Sequence, residues 1–168
     1  AGFVLRGLTG VGKTLVLREL ARLRPEWVLD LEALAGHRSS ILGMVGLEPV
    51  SQKRFDSRLW TRFASGFDGP AVFEGESRKV GDVTLPARVW AALQGGQNAL
   101  LEAPLERRVE VLIEDYLANE ANRGALRAQL PFIEGRLKAD GALVALLDQG
   151  RERELVRILF ERYYDPLY

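Results

Sequence analysis

The chain has 168 residues, 47% of them hydrophobic, with 23 basic and 23 acidic side chains and no cysteine. A chain of this size buries roughly 70% of its unfolded surface, so a folded core is expected and dominant disorder is excluded. The missing thiol excludes a disulfide scaffold, a thiolate metal site and a cysteine nucleophile, and zero net charge leaves any grip on nucleic acid to a local basic patch.

Residues 2–6 form an apolar run ended by Gly7, the pattern of a short buried strand. From Lys13 to Arg24, Val16, Leu20 and Leu23 recur at helical spacing, and Pro25 stops that helix. Trp27–Asp30 reads as a second strand. Residues 36–50, with Gly36, Gly43, Gly46, Pro49 and the pair Ser39-Ser40, read as a loop. A helix follows from about Gln52 to Ala64, with Phe55, Leu59 and Phe63 on one side. Ala71–Phe73 is a third strand leading into Glu74-Gly75-Glu76, Pro86 opens a helix running to Leu93, and Ala99–Leu101 is a fourth strand closed by Pro104. Beyond it, Val109, Leu112, Ile113, Tyr116 and Leu117 share one helical face, and helical stretches cover roughly 121–138, 140–148 and 151–163. No apolar run approaches the ~18 residues of a membrane span, and the first residues lack a signal-peptide pattern. A cytoplasmic location without membrane contact is the expectation.

The first strand and first helix are joined by Gly7-Leu8-Thr9-Gly10-Val11-Gly12-Lys13-Thr14, which satisfies the G-x-x-x-x-G-K-[ST] pattern. Glycines let the backbone wrap a phosphate with its N–H groups, and the following helix presents its positive end. Lys13 adds a charge for the terminal phosphates and the Thr14 hydroxyl is a magnesium ligand in such loops. A chance match in a chain this long is on the order of one in a hundred. Together with the strand–helix alternation, the motif predicts an α/β fold of the P-loop NTPase kind, with a doubly wound parallel sheet and a helical C-terminal part. The expected organisation is a single domain over 1–168, its sheet core in about 1–104 and its helical part in about 105–168.

Magnesium at a phosphate loop is usually assisted by a carboxylate at the end of a neighbouring strand, and ligands in open α/β sheets lie beyond those strand ends. Two pairs qualify: Asp30 with Glu32 after the second strand, and Glu74 with Glu76 after the third. Asp30 is equally placed to cap a helix starting at Leu31. Candidate anion or substrate contacts are the lone His37 with Arg38 and Ser40, Arg78 and Lys79 after the acidic loop, and Arg107-Arg108 after the fourth strand. Arg54, Arg58 and Arg62 are spaced by four and form a basic stripe on the 52–64 helix. No N-K-x-D guanine motif is present.

These residues resemble the C-terminal phosphate-loop domain of tRNA 2-selenouridine synthases. The resemblance rests on the GLTGVGKT loop, on Asp30–Ala35 running into His37-Arg38-Ser39-Ser40, and on Ser51–Phe55. It rests further on Glu74–Gly81 with Leu85-Pro86 behind it, and on the ending Tyr163-Tyr164-Asp165-Pro166-Leu167-Tyr168. Ser39 stands where the family usually has glycine. The resemblance implies a transferase that converts wobble 2-thiouridine of tRNA to 2-selenouridine, through an S-geranylated intermediate made from geranyl diphosphate. On that reading Gly7, Thr9, Gly10, Val11, Gly12, Lys13 and Thr14 hold geranyl diphosphate or a nucleotide such as ATP or GTP, with magnesium at Thr14, Asp30 or Glu74. Lys13, Asp30, Glu74 and Arg78 form the catalytic set, and His37, Arg38, Ser40, Arg54, Arg58, Lys79 and Arg107 contact substrate or tRNA. The family's chalcogen-handling cysteine belongs to a rhodanese-like domain, so a separate domain or chain must supply it. Two other expectations fit the loop alone: a small-molecule kinase moving the terminal phosphate of ATP, and a nucleotide-dependent tRNA-binding module.

Overall fold

The computed structural model describes residues 2–37, 48–75, 77–117 and 119–167. The chain forms two compact units, Ala1–Gly7 with Lys13–Leu101, and Leu8–Gly12 with Glu102–Tyr168.

The first unit is the α/β part. Its elements are β1 (Gly2–Arg6), α1 (Lys13–Leu23), β2 (Val28–Leu29), α2 (Leu31–Ala35), α3 (Gln52–Ala64), β3 (Ala71–Glu74), β4 (Lys79–Val80), β5 (Val83–Thr84), α4 (Ala87–Gly95) and β6 (Gln97–Leu100). Four strands form a wholly parallel sheet in the order β2-β3-β1-β6. Side chains alternate across the strands and so build two separate cores. Val4, Leu29 and Phe73 face one way and pack with Phe55 and Leu59 of α3 and Val89 and Leu93 of α4. Leu5, Val28 and Val72 face the other way and pack with Leu17 of α1. This is the P-loop NTPase-like α/β arrangement, a parallel sheet flanked by helices.

The register decides where the chemistry lies. Leu5 is paired with Glu74, so the end of β1, which leads into the phosphate loop, adjoins the carboxylate that closes β3. Gly75 continues past that point with its N–H donating to the Leu5 carbonyl at 2.7 Å. A Cβ at Gly75 would fall 2.8 Å from the same carbonyl oxygen and 2.7 Å from Arg6 Cδ, so glycine is required by close approach.

Three local features differ from the sequence expectation. Trp27 closes a 3-10 turn, Pro25–Trp27, and only Val28 and Leu29 pair as strand. The helix that Asp30 is placed to cap runs over Leu31–Ala35, an extent periodicity does not give because five residues carry too little pattern. The antiparallel β4–β5 pair is likewise only two residues per strand, and it forms because Val80 and Val83 are both buried.

The second unit is helical: α5 (Leu105–Tyr116), α6 (Glu120–Leu137), α7 (Ala142–Asp148) and α8 (Glu152–Leu159), then a π-helical turn over Phe160–Tyr164 and a 3-10 turn over Asp165–Leu167. Val109, Leu112, Leu126, Leu130, Ile133, Leu143, Leu147, Leu155, Leu159 and Phe160 are buried in it. Glu134 is also buried, and one of its oxygens accepts the N–H groups of Leu143 and Val144 at 2.7 and 2.9 Å. It thereby satisfies two orphan donors at the start of α7, which Gly141 cannot cap with a side chain. The continuous helix expected over 151–163 gives way to the π turn at Phe160, which carries Phe160, Tyr163 and Tyr164 inward. Among the described residues no helix is long and apolar enough to cross a membrane.

Candidate functional site

In the first unit, the chemistry gathers where β1 and β3 end side by side. Lys13 and Thr14 open α1, and Glu74 is the last residue of β3. Thr14 Oγ1 donates to Glu74 Oε2 at 3.2 Å, and Lys13 Nζ lies 3.9 Å from Glu74 Oε1. Lys13 Nζ also donates to the Gly7 carbonyl at 2.8 Å, so the ammonium is held across the base of its own loop. Glu74 is only 6% exposed. Burial, then the charge of Glu32, push its carboxyl up to about 7; Lys13 and the Thr14 hydroxyl pull it down, and Asp30 adds a smaller upward push.

The other acidic candidates sit differently. Asp30 is the N-cap of α2, its Oδ1 accepting the Ala33 N–H at 2.8 Å. It influences Glu74 through charge, while its own carboxylate already has a backbone donor. Glu32 is buried on α2 and acts on Glu74 in the same way. Glu76 lies outside the described residues, as do Arg38, Ser39 and Ser40.

Thr14 and Glu74 supply the hard oxygen donors magnesium takes, and a carboxyl raised chiefly by burial and then by the charge of Glu32 sits where a divalent cation would offset the cost of its negative charge. Among the described residues no cluster of three or more His, Cys, Asp or Glu forms a metal cage. Magnesium commonly binds through one or two protein oxygens and leaves the rest to waters and substrate phosphates. The residues present fit that ion.

The basic candidates divide sharply. Arg54 and Lys79 are exposed, as is Arg78, whose backbone carbonyl accepts the Leu85 N–H across the β4–β5 hairpin. Arg58 donates to the Leu34 carbonyl at 3.1 Å. Arg62 donates to the carbonyls of Val28, Glu26 and Gly66 at 2.9, 2.6 and 2.7 Å and stacks on Phe67. Two of the three stripe arginines therefore clasp backbone, and Arg54 alone of them points to solvent. The His37 ring packs against Gly81 in the turn of the hairpin.

In the second unit, Leu8–Gly12 carries the crest of the phosphate loop, with the Val11 N–H donating to the Leu8 carbonyl at 3.4 Å. Gly10 has φ +80°, and a Cβ there would fall 2.8 Å from Phe160 Cζ and 3.0 Å from the Arg108 carbonyl oxygen. Glycine is required both by backbone conformation and by that packing. Arg107, singled out from the sequence, lies on the solvent side of α5 and pairs with Glu110 and Glu114 at 3.0 and 3.5 Å. Its neighbour Arg108 is 4% exposed and faces the loop crest. Its Nε donates to the Thr9 carbonyl at 2.9 Å, while its two terminal nitrogens grip the Asp165 carboxylate at 2.9 and 2.6 Å. The sequence expectation took Arg107; helical spacing, which sets Arg108 four residues before Leu112 of the apolar face and Arg107 opposite that face, is the signal that points to Arg108 as the inward one.

A family model described as the tRNA 2-selenouridine synthase AAA domain matches residues 1–135. Among curated proteins, the chain is similar to a tRNA 2-selenouridine synthase of Cupriavidus pinatubonensis, 32% identical over 98% of this chain and 52% of the relative. It is also similar to those of Hydrogenovibrio crunogenus, 31% identical over 99% of this chain and 51% of the relative, and of Pseudomonas syringae pv. syringae, 38% identical over 95% and 42%. The chain thus spans about half the length of the curated relatives it matches. No solved structure matches it.

Proposed function

The chain belongs to the tRNA 2-selenouridine synthase family, and from that premise we propose that it is the diphosphate-binding part of an enzyme converting wobble 2-thiouridine of tRNA to 2-selenouridine. Its ligand on this reading is geranyl diphosphate. The observation that carries the proposal is the meeting of Lys13 and Thr14 with buried Glu74 beside the phosphate-loop motif. A prenyl diphosphate presents to such a loop the same charged group as a nucleotide does.

In the geranylation step the thiocarbonyl sulfur of 2-thiouridine forms a bond to C1 of the geranyl group as the C–O bond to diphosphate breaks; diphosphate leaves, and the N3 proton of the base passes to diphosphate or water. Negative charge grows on the departing oxygen. Lys13 and the loop N–H groups stabilise it by standing ready in place, which lowers the barrier more than the same groups free in water would. Magnesium, when bound, would be held by Thr14 and Glu74 and would neutralise part of the diphosphate charge. The exposed cations Arg54, Arg78 and Lys79 supply a local surface for the tRNA backbone in a chain of zero net charge. Selenium delivery by a cysteine falls to a rhodanese-like domain or chain, because this sequence contains no cysteine.

Calorimetric titration of ATP, GTP and geranyl diphosphate into the protein and into Lys13→Ala tests the reading. Preferential binding of geranyl diphosphate, lost in the variant, is the expected result. Tight ATP binding with no heat from the prenyl ligand would replace the assignment with a nucleotide-using activity.

A further inference from the structure

Arg108 is a buried guanidinium and Asp165 its half-buried partner, a pair that the reaction outlined above leaves unused, and Arg108 reaches the crest of the phosphate loop. The Nε of Arg108 reaches the carbonyl of Thr9, 99 positions away in sequence, while Asp165, in the chain's aromatic ending, takes both terminal nitrogens at 2.9 and 2.6 Å. Phe160 lies 4.3 Å under the guanidinium and also touches Gly10. A guanidinium gripped by a carboxylate in this two-pronged way has a fixed plane, so its remaining Nε–H has a fixed direction.

The consequence lies in the next peptide. No cis peptide bond occurs among the described residues, and in a trans peptide C=O and N–H point to opposite sides. Holding the Thr9 carbonyl toward Arg108 therefore turns the Gly10 N–H the opposite way. A flipped Thr9–Gly10 peptide would offer a carbonyl oxygen to an incoming phosphate where a donor is needed. With φ at +80° Gly10 has glycine's freedom to flip, which gives the clamp something to prevent.

We propose that Arg108, locked by Asp165, is a positioning residue that presets the Gly10 N–H of the phosphate loop for anion binding. Its action is directional and not one of added charge, because Asp165 neutralises the guanidinium. The proposal rests on the reading of this loop as a diphosphate site.

The test uses inorganic pyrophosphate as probe, with calorimetry for affinity and amide NMR for the Gly10 N–H. In the wild-type protein the Gly10 resonance should move on pyrophosphate addition. Arg108→Lys keeps the charge and loses the fork; affinity should fall on the order of ten-fold and the Gly10 response should vanish. Asp165→Asn frees the positive charge while releasing its plane. A positioning role predicts weaker binding in this variant, whereas a purely electrostatic role predicts stronger binding. Stronger or unchanged binding in Asp165→Asn, with the Gly10 response intact, would overturn the proposal, and this variant decides alone should Arg108→Lys not fold. Lys13→Ala separates the two readings: wild-type pyrophosphate affinity in it would remove the diphosphate site itself. Loss of affinity in Lys13→Ala with full affinity in both clamp variants would remove only the clamp.

Discussion

Glu74 offers the sharpest quantitative handle on the site. Its carboxyl is raised from an ordinary 4.5 to about 7, chiefly by burial and then by Glu32. At about 1.4 kcal/mol per pKa unit, ionised Glu74 costs the folded state about 3 kcal/mol relative to the unfolded chain. The sign follows from proton counting. Between pH 4.5 and 7 the folded state binds more protons at this position than the unfolded one, so stability falls as pH rises through that window and levels off above it. Glu74→Gln keeps the shape and removes the charge. Urea unfolding from pH 5 to pH 8 should therefore show similar stability for the two proteins at pH 5, and a variant more stable by up to about 3 kcal/mol at pH 8. Magnesium added at pH 8 should stabilise the wild type and leave the variant nearly unmoved, since the cation would take up the charge that burial penalises. Parallel stability curves for the two proteins across the range would refute the account of a buried, charge-stressed carboxylate.

Other positions give independent checks. Gly10→Ala should abolish pyrophosphate binding in calorimetry while leaving the far-ultraviolet circular dichroism largely intact, because it strains one loop residue at φ +80° and collides with Phe160. Asp30→Ala removes the α2 cap and should lower unfolding stability by about 1 kcal/mol in a urea titration, with magnesium affinity changed less than in Glu74→Gln. Arg62→Ala should destabilise the fold by about 2 kcal/mol through lost charge-assisted bonds to three carbonyls, without changing the salt dependence of tRNA binding. Arg54→Ala should do the reverse, leaving the unfolding midpoint in place and flattening the salt slope measured in filter binding.

Much of the framework was legible in the sequence because its signals are local. The G-x-x-x-x-G-K-[ST] run fixes a loop between strand and helix, and short apolar runs separated by helical periodicity announce a parallel sheet. Elements of two to five residues lack enough periods to be seen: the β4–β5 pair is unread, and α2 shows only through Asp30 as a candidate cap. The family resemblance, carried by the acidic stretch and the aromatic ending as well as the loop, agreed with the AAA-domain match over residues 1–135.

What the sequence by itself determined is therefore the loop, the order of strands and helices along the chain, and the absence of a thiol. Tertiary structure alone decided which side chains of each candidate group meet. Asp30 follows β2 and Glu74 ends β3, yet register sets Glu74 against Thr14 while Asp30 caps the helix that follows. Arg107 and Arg108 are adjacent, yet successive residues on a helix point about 100° apart, so one pairs at the surface and the other is buried against Thr9 and Asp165. Arg58 and Arg62 read as a charged stripe until carbonyls of other elements absorb them. The physical reason lies in the deciding bonds: each depends on direction and on a partner 24 to 99 positions away, which the spacing of neighbours does not encode.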